Sequence, residues 1–159
     1  METILAPLPL GTSDFSALRK SGQIYVDKTR LIYTLASKRQ KFFLSRPRRF
    51  GKSLLLSTFE SLFKYGLRDF HGLEIESLWK DENTYQVIRL DFSNLKDFSS
   101  VEEFSELLDQ YLLDTLTVNR LVSPIKTDKE GLRAFIGWLA LQADNSVVLL
   151  LDELSLIHI

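Results

Sequence analysis

Residues 42–53 read FFLSRPRRFGKS, an apolar stretch that passes through a basic loop and ends in Gly51-Lys52-Ser53. Apolar residues at helical spacing follow at once, over residues 54–63. A strand, a loop that ends in Gly-Lys-Ser and a helix are the parts of a phosphate-binding loop. Lys52 supplies an ammonium for terminal phosphates, the Ser53 hydroxyl suits Mg²⁺, and N–H groups at the helix start suit phosphate oxygens.

The loop departs from the usual Walker A spacing, G-x-x-x-x-G-K-[ST], because Arg46 stands where the first glycine is expected. A three-residue match recurs by chance, so a basic loop on an ordinary strand-to-helix turn is the alternative interpretation. The residues predicted to bind a nucleotide are Arg46, Pro47, Arg48, Arg49, Phe50, Gly51, Lys52 and Ser53.

A second segment, residues 146–153, reads SVVLLLDE and ends in two carboxylates. The apolar run predicts a strand buried on both faces, as in a parallel sheet. Asp152 at its end would hold Mg²⁺ together with Ser53, directly or through water, as Walker B acids do. Glu153 would be the catalytic residue that polarises the attacking water. The alternative is a core strand that ends in a solvated acidic turn.

Alternating strands and helices predict an α/β fold, a three-layer sandwich around a parallel sheet. Ligands of such sheets bind at the carboxyl ends of the strands, where both segments fall. The two motifs therefore predict one nucleotide site. The predicted strands are 41–45, 87–92 and 147–151, with a brief strand or an extended segment at 24–26. The predicted helices are 15–20, 28–38, 52–65, 101–121 and 129–143.

Composition sets broad limits on the class of protein. The 159 residues carry a formal net charge of −1, so bulk charge does not predict binding to nucleic acid or membranes. The absence of cysteine excludes disulfides and thiolate metal sites. The start of the chain has no basic segment followed by a long apolar one, as a signal peptide or membrane span requires. We expect a soluble cytoplasmic protein with no membrane partner.

Two further motifs have more than one interpretation. Tyr25 could stack on an adenine ring, but a helix cap at Asp27 beside a core tyrosine is the favoured interpretation of residues 25–29. Asp91 could support the site as a second carboxylate or could form a turn with Ser93. His71 lies in a predicted loop, and a lone histidine predicts no metal site.

Four stretches resemble the AAA-ATPase-like domain family, in which this domain often precedes a PD-(D/E)XK-type nuclease domain. The resemblance covers about residues 9–153 and includes the missing first glycine, which is usual in that family. The matching stretches are GTSDF with LR (Gly11–Phe15, Leu18-Arg19), YVDKT (Tyr25–Thr29), FLSRPRRFGKS (Phe43–Ser53) and YQVIRLDFS (Tyr85–Ser93).

The resemblance implies an ATP-binding domain of a Mg²⁺-dependent ATPase, and it alone implies ATP rather than GTP. It also implies a nuclease-like domain beyond this chain as a route to nucleic acid. A module that binds nucleotide without hydrolysis is one alternative, and a nucleic-acid phosphate binder that uses the basic loop is another. The oligomeric state is not predicted.

The end of the chain departs from the family, which continues beyond the acidic pair with a segment similar to Asp-Glu-Tyr-Asp-Lys-Pro. Residues 154–159 here read LSLIHI, which one reading frame of a common sequencing adaptor encodes. We expect an N-terminal portion of the ATPase-like domain over residues 1–153, inactive as a fragment, and an adaptor-derived tail over 154–159. A native apolar tail is the alternative.

Overall fold

The computed structural model describes residues 6–45, 47, 49–95, 98–121, 131–143 and 146–153. The chain divides into two compact units, Met1–Gln86 and Val87–Ile159, and each has its own apolar core. The elements in chain order are α1 (Phe15–Lys20), α2 (Thr29–Ala36), α3 (Lys52–Tyr65), α4 (Ile75–Leu78), β1 (Gln86–Asp91), α5 (Val101–Val118), α6 (Gly131–Ala140) and β2 (Val147–Asp152), with 3₁₀ turns at Gly66–Asp69 and Phe92–Asn94.

The first unit is helical and packs α1, α2, α3 and α4 around one cluster of buried side chains. The segment after α3 folds onto this cluster and contributes Phe70, Leu73, Ile75 and Trp79 to it. The buried members of the cluster are Phe15, Ile32, Ala36, Leu62, Phe70, Leu73, Ile75 and Trp79.

The favoured interpretation of residues 25–29 is confirmed. Tyr25 packs edge-to-face on Phe15 at 5.1 Å between ring centroids, and burial raises the pKa of its hydroxyl. The Asp27 carboxylate accepts hydrogen bonds from the Thr29 N–H at 2.8 Å and the Thr29 hydroxyl at 2.7 Å. Asp27 therefore caps the start of α2, and Tyr25 is part of the core.

The second unit contains a two-stranded parallel sheet formed by β1 and β2. Helix α6 packs closely on α5, where Gly131 is required: a Cβ there would lie 1.9 Å from the Asp109 carbonyl oxygen. The Asp109 carboxylate accepts a hydrogen bond from the Leu132 N–H at 2.9 Å. The core of this unit is Ile88, Leu90, Phe92, Leu95, Leu112, Leu116, Ala134, Phe135 and Trp138.

The fold is therefore mixed α/β with a small parallel sheet. Residues 24–26 do not form the brief strand that was one of the two alternatives there. The fold differs from the predicted strands in two places. Residues 41–45 are not a strand, and Phe43 is 81% exposed. Strand β2 is not buried on both faces, because Leu149 and Leu151 are 40% and 38% exposed. These segments are apolar, as a buried strand requires. Whether an apolar segment pairs with another strand and becomes buried depends on neighbouring parts of the fold, which its composition does not specify.

Candidate functional site

Gly51 opens the longest helix of the first unit. Its backbone is left-handed, with φ 73° and ψ 23°, and its carbonyl accepts the first intrahelical hydrogen bond, from the Leu55 N–H at 2.9 Å. Such a conformation costs glycine little, whereas a Cβ would make it unfavourable. The start of α3 therefore offers an anion the positive end of a fourteen-residue helix and the backbone N–H groups of its first turn.

The predicted loop leads into this helix from an exposed surface. Pro47, Arg49 and Phe50 are exposed, while Lys52 and Ser53 in the first turn are half-buried. Arg49 has a positive φ of 65°, which is unusual for a side chain other than glycine. The predicted contacts of Arg46 and Arg48 lie outside the described residues. The loop thus combines exposure, basic side chains and two residues of positive φ, Arg49 and Gly51, at the positive end of α3.

The second predicted segment ends in a buried carboxylate. Asp152, the last residue of β2, is 4% exposed in its side chain and pairs with Arg89 of β1 at 3.0 Å between Oδ2 and Nη2. Its Oδ1 accepts a hydrogen bond from the Glu153 N–H at 3.1 Å. Glu153 is half-buried and has a left-handed φ of 58°. Asp152 therefore has a cation on one oxygen and a backbone donor on the other.

The predicted site residues fall into two groups. Gly51, Lys52 and Ser53 are adjacent at the start of α3 in the first unit, and Asp152 and Glu153 are adjacent at the end of β2 in the second.

The donor chemistry of the two groups suits Mg²⁺. A serine hydroxyl and carboxylate oxygens are hard ligands of the kind that this ion prefers. The Arg89 guanidinium shows that the Asp152 carboxylate already holds a cation in a largely buried setting. Within the described part of the chain, no cluster of three or more His, Cys, Asp or Glu side chains could form a metal site by itself.

Of the two interpretations of Asp91, the structure supports the turn with Ser93. Its carboxylate accepts a hydrogen bond from the Ser93 N–H at 2.9 Å, and its own N–H donates to the Tyr111 hydroxyl at 2.7 Å. A carboxylate that closes the turn after its own strand explains the residue without a ligand.

Arg89 was not identified from the sequence, although a signal was available. It lies in the middle of β1 between Ile88 and Leu90, both of which are buried. A charged residue in a buried strand requires a partner of opposite charge. That requirement could have linked Arg89 to a carboxylate, but it could not have selected Asp152.

Comparison with known proteins gives one family and one distant relative. The AAA-ATPase-like family, described as "Predicted AAA-ATPase", matches residues 9–155. The chain is 34% identical over 151 residues to an "Uncharacterized protein in vnfD 5'region" of Azotobacter chroococcum mcd 1. That match covers 92% of this chain and 28% of the relative, so the chain spans little more than a quarter of the relative's length. No solved structure matches. No helix among the described residues has the length and apolar character needed to cross a membrane.

Proposed function

Because the chain belongs to the AAA-ATPase-like family, we propose that it binds ATP together with Mg²⁺ through the loop that opens α3. Family membership supports a general ATPase-like nucleotide-binding function. The single observation that carries the finer proposal is the left-handed Gly51 followed by Lys52 and Ser53 at a helix N-terminus. The same proposal includes a P-loop NTPase-like three-layer sandwich as the fold of the domain. It also includes a cytoplasmic location for the protein.

The roles in phosphate binding follow from the chemistry of each residue. The Lys52 ammonium contacts the β- and γ-phosphates, and the N–H groups of the first turn bind phosphate oxygens. The remaining loop residues surround the phosphates and supply further positive charge. They are Arg46, Pro47, Arg48, Arg49, Phe50 and Gly51.

The second group of residues acts on the metal and on water. Mg²⁺, when bound, offsets the phosphate charge that develops during transfer. The Ser53 hydroxyl and the Asp152 carboxylate would hold it, and the Glu153 carboxylate would orient the attacking water molecule. Hydrolysis, and any contact with nucleic acid through a nuclease-like domain, belong to the whole protein rather than to this chain alone.

The proposal is tested by replacing Lys52 with alanine. The loss of one charge-assisted contact costs about 1.5–3 kcal/mol, which is roughly tenfold to over a hundredfold in ATP affinity. Isothermal calorimetry with MgATP measures the change. Lys38→Ala removes an exposed lysine of the same unit and should leave the affinity unaltered. Equal ATP affinity in the Lys52→Ala variant and the wild type would refute the assignment.

Glu153→Gln separates a hydrolase from a module that only binds nucleotide. The amide keeps the shape of the side chain but cannot polarise water as a carboxylate does, so ATP binding should persist while turnover falls at least about a hundredfold. Phosphate release is measured in the whole protein, with the exposed Glu82→Gln as the matched control. Unchanged turnover in Glu153→Gln would favour nucleotide binding without a catalytic role for this residue.

A further inference from the structure

Arg89 and Asp152 form an ion pair that crosses the small sheet. The two residues are 63 positions apart in the chain, and Nη2 of one lies 3.0 Å from Oδ2 of the other. The Asp152 side chain is 4% exposed and that of Arg89 is 27% exposed. The Asp152 carboxylate is largely removed from solvent, so its charge requires compensation, and the Arg89 guanidinium supplies it.

The position of the pair ties it to the proposed metal ligand. Of the two oxygens of Asp152, Oδ2 accepts from Arg89 and Oδ1 accepts from the Glu153 N–H at 3.1 Å. Both oxygens are therefore engaged within the protein. The second contact also joins the carboxylate to the backbone of Glu153, which has a positive φ of 58°.

We propose that the Arg89 guanidinium competes with a metal ion for the Asp152 carboxylate and thereby lowers the affinity of this carboxylate for a divalent cation. The inference rests on the proposed function of Asp152 as a Mg²⁺ ligand. Arg89 would be a positioning residue, because it acts through Asp152. Mg²⁺ then has to displace the guanidinium from Oδ2 or bind beside it.

The physical reason is competition for one carboxylate. A carboxylate has lone pairs for more than one partner, but a guanidinium and a divalent ion on the same group repel each other in a poorly solvated site. Phosphate oxygens that arrive with the metal would offset this repulsion. Arg89 therefore favours Mg²⁺ that is bound to a nucleotide over Mg²⁺ alone. A purely structural ion pair would have no such effect on metal binding.

The experiment measures stabilisation by Mg²⁺ alone, without nucleotide. Urea unfolding of the full chain is followed by circular dichroism in chelator and then at rising MgCl₂, with NaCl at equal ionic strength as the reference. A ligand that binds only the folded state raises the free energy of unfolding by RT ln(1 + c/Kd) at free ligand concentration c, so the dependence of the unfolding midpoint on MgCl₂ concentration gives the apparent Kd. The variants are Arg89→Met, which removes the charge, and Arg89→Lys, which keeps it. Arg30→Met, which breaks an exposed pair with Glu74 in the first unit, is the matched control.

We expect Arg89→Met to have a lower midpoint in chelator and an apparent Mg²⁺ affinity about tenfold higher than wild type, because the competing like charge is gone. Arg89→Lys should lie between the two, and Arg30→Met should bind Mg²⁺ as wild type does. Adding Asp152→Asn to Arg89→Met should abolish the gain. If Arg89→Met is unfolded in chelator, refolding on addition of Mg²⁺ supports the proposal, and Arg89→Lys provides the titration.

Two results would overturn the proposal: equal Mg²⁺ affinity in wild type, Arg89→Lys and Arg89→Met, or a gain that survives Asp152→Asn. These results are independent of the nucleotide assignment. An altered Mg²⁺ response with no ATP binding would leave the role of Arg89 intact and refute the nucleotide-binding function. ATP binding with a Mg²⁺ response that is unaltered in the Arg89 variants would support the nucleotide-binding function and refute the role of Arg89.

Discussion

Asp69 shows how one residue can organise its surroundings. Its buried carboxylate accepts hydrogen bonds from the Arg68 guanidinium at 2.9 Å, from the Ser61 hydroxyl at 2.7 Å and from the Ser16 hydroxyl. Ser16 belongs to α1 and Ser61 to α3, so the carboxylate joins two helices. The hydrogen bond from Arg68 is the main reason that the pKa of Asp69 is held well below its usual range, against the opposing effect of burial.

This pKa shift makes stability depend on pH. A carboxyl whose folded-state pKa is lowered stabilises the fold at pH values above its unfolded pKa, about 3.9, and this contribution is lost as the pH falls towards the folded pKa. We expect Asp69→Asn to be less stable than wild type by about 1.5–3 kcal/mol at pH 7 and by less at pH 3. Urea unfolding across this range measures the difference.

The control for Asp69 is Glu74→Gln, which alters an exposed pair with Arg30 and should change the unfolding midpoint little. A constant difference between Asp69→Asn and wild type from pH 7 to pH 3 would contradict the role given to this carboxylate.

At the scale of elements, a polar clamp joins the starts of α2 and α4. The Thr29 hydroxyl donates to Asp27 and accepts from the Ile75 N–H at 3.0 Å, and the Glu74 N–H donates to the other oxygen of Asp27 at 2.8 Å. Thr29 is completely buried. Two side chains of one short motif thus accept hydrogen bonds from backbone N–H groups at the start of α4. The partners lie 46 and 47 residues apart in the chain.

The clamp predicts an effect of Thr29→Val on stability. Valine fills the same volume but leaves the buried Ile75 N–H without its acceptor, at a cost of about 1–3 kcal/mol. Thr34→Val is the matched control, because Thr34 is exposed on the same helix and its hydroxyl donates to the Arg30 carbonyl one turn earlier. Urea unfolding compares the two variants. Equal midpoints would show that the clamp contributes nothing.

At the scale of the whole molecule, two units with separate cores account for the described chain. Each carries one of the two predicted motifs at the end of a regular element: the loop at the start of α3 and the acidic pair at the end of β2. The chain spans only 28% of the related Azotobacter protein. Family membership supports a general ATPase-like nucleotide-binding function for this chain, and turnover remains a proposal.

Most of the helices could be predicted because their signals are local. Helices α1 and α3 occupy the predicted residues, 15–20 and 52–65. Helix α5 ends at Val118 rather than residue 121, and the described part of the last helix, α6, is Gly131–Ala140. Helix ends depend on weak terminal hydrogen bonds, so small differences there are expected.

The candidate site was only half predictable. Gly51-Lys52-Ser53 and Asp152-Glu153 are contiguous motifs, and their chemistry follows from residue type and order. The partner of Asp152 does not, because Arg89 meets it only through the pairing of β1 with β2. Strand pairing also decides which residues of an apolar run are buried, which explains the error at 41–45 and on the exposed face of β2.

The amino-acid sequence by itself determined the Gly51-Lys52-Ser53 motif, most of the helices, the acidic pair and the family. These features depend on residues that are close together in the chain, and over such short spacings the backbone geometry fixes which side chains lie on the same face. Only the tertiary structure decided that Arg89 holds Asp152, that Asp27 and Thr29 join α2 to α4, and that Asp69 joins α1 to α3. The physical reason is distance along the chain: these partners are separated by 46 to 63 residues in the first two cases, and by 53 between Ser16 and Asp69. A local pattern can require a partner for a buried charge, but the packing of the chain selects it.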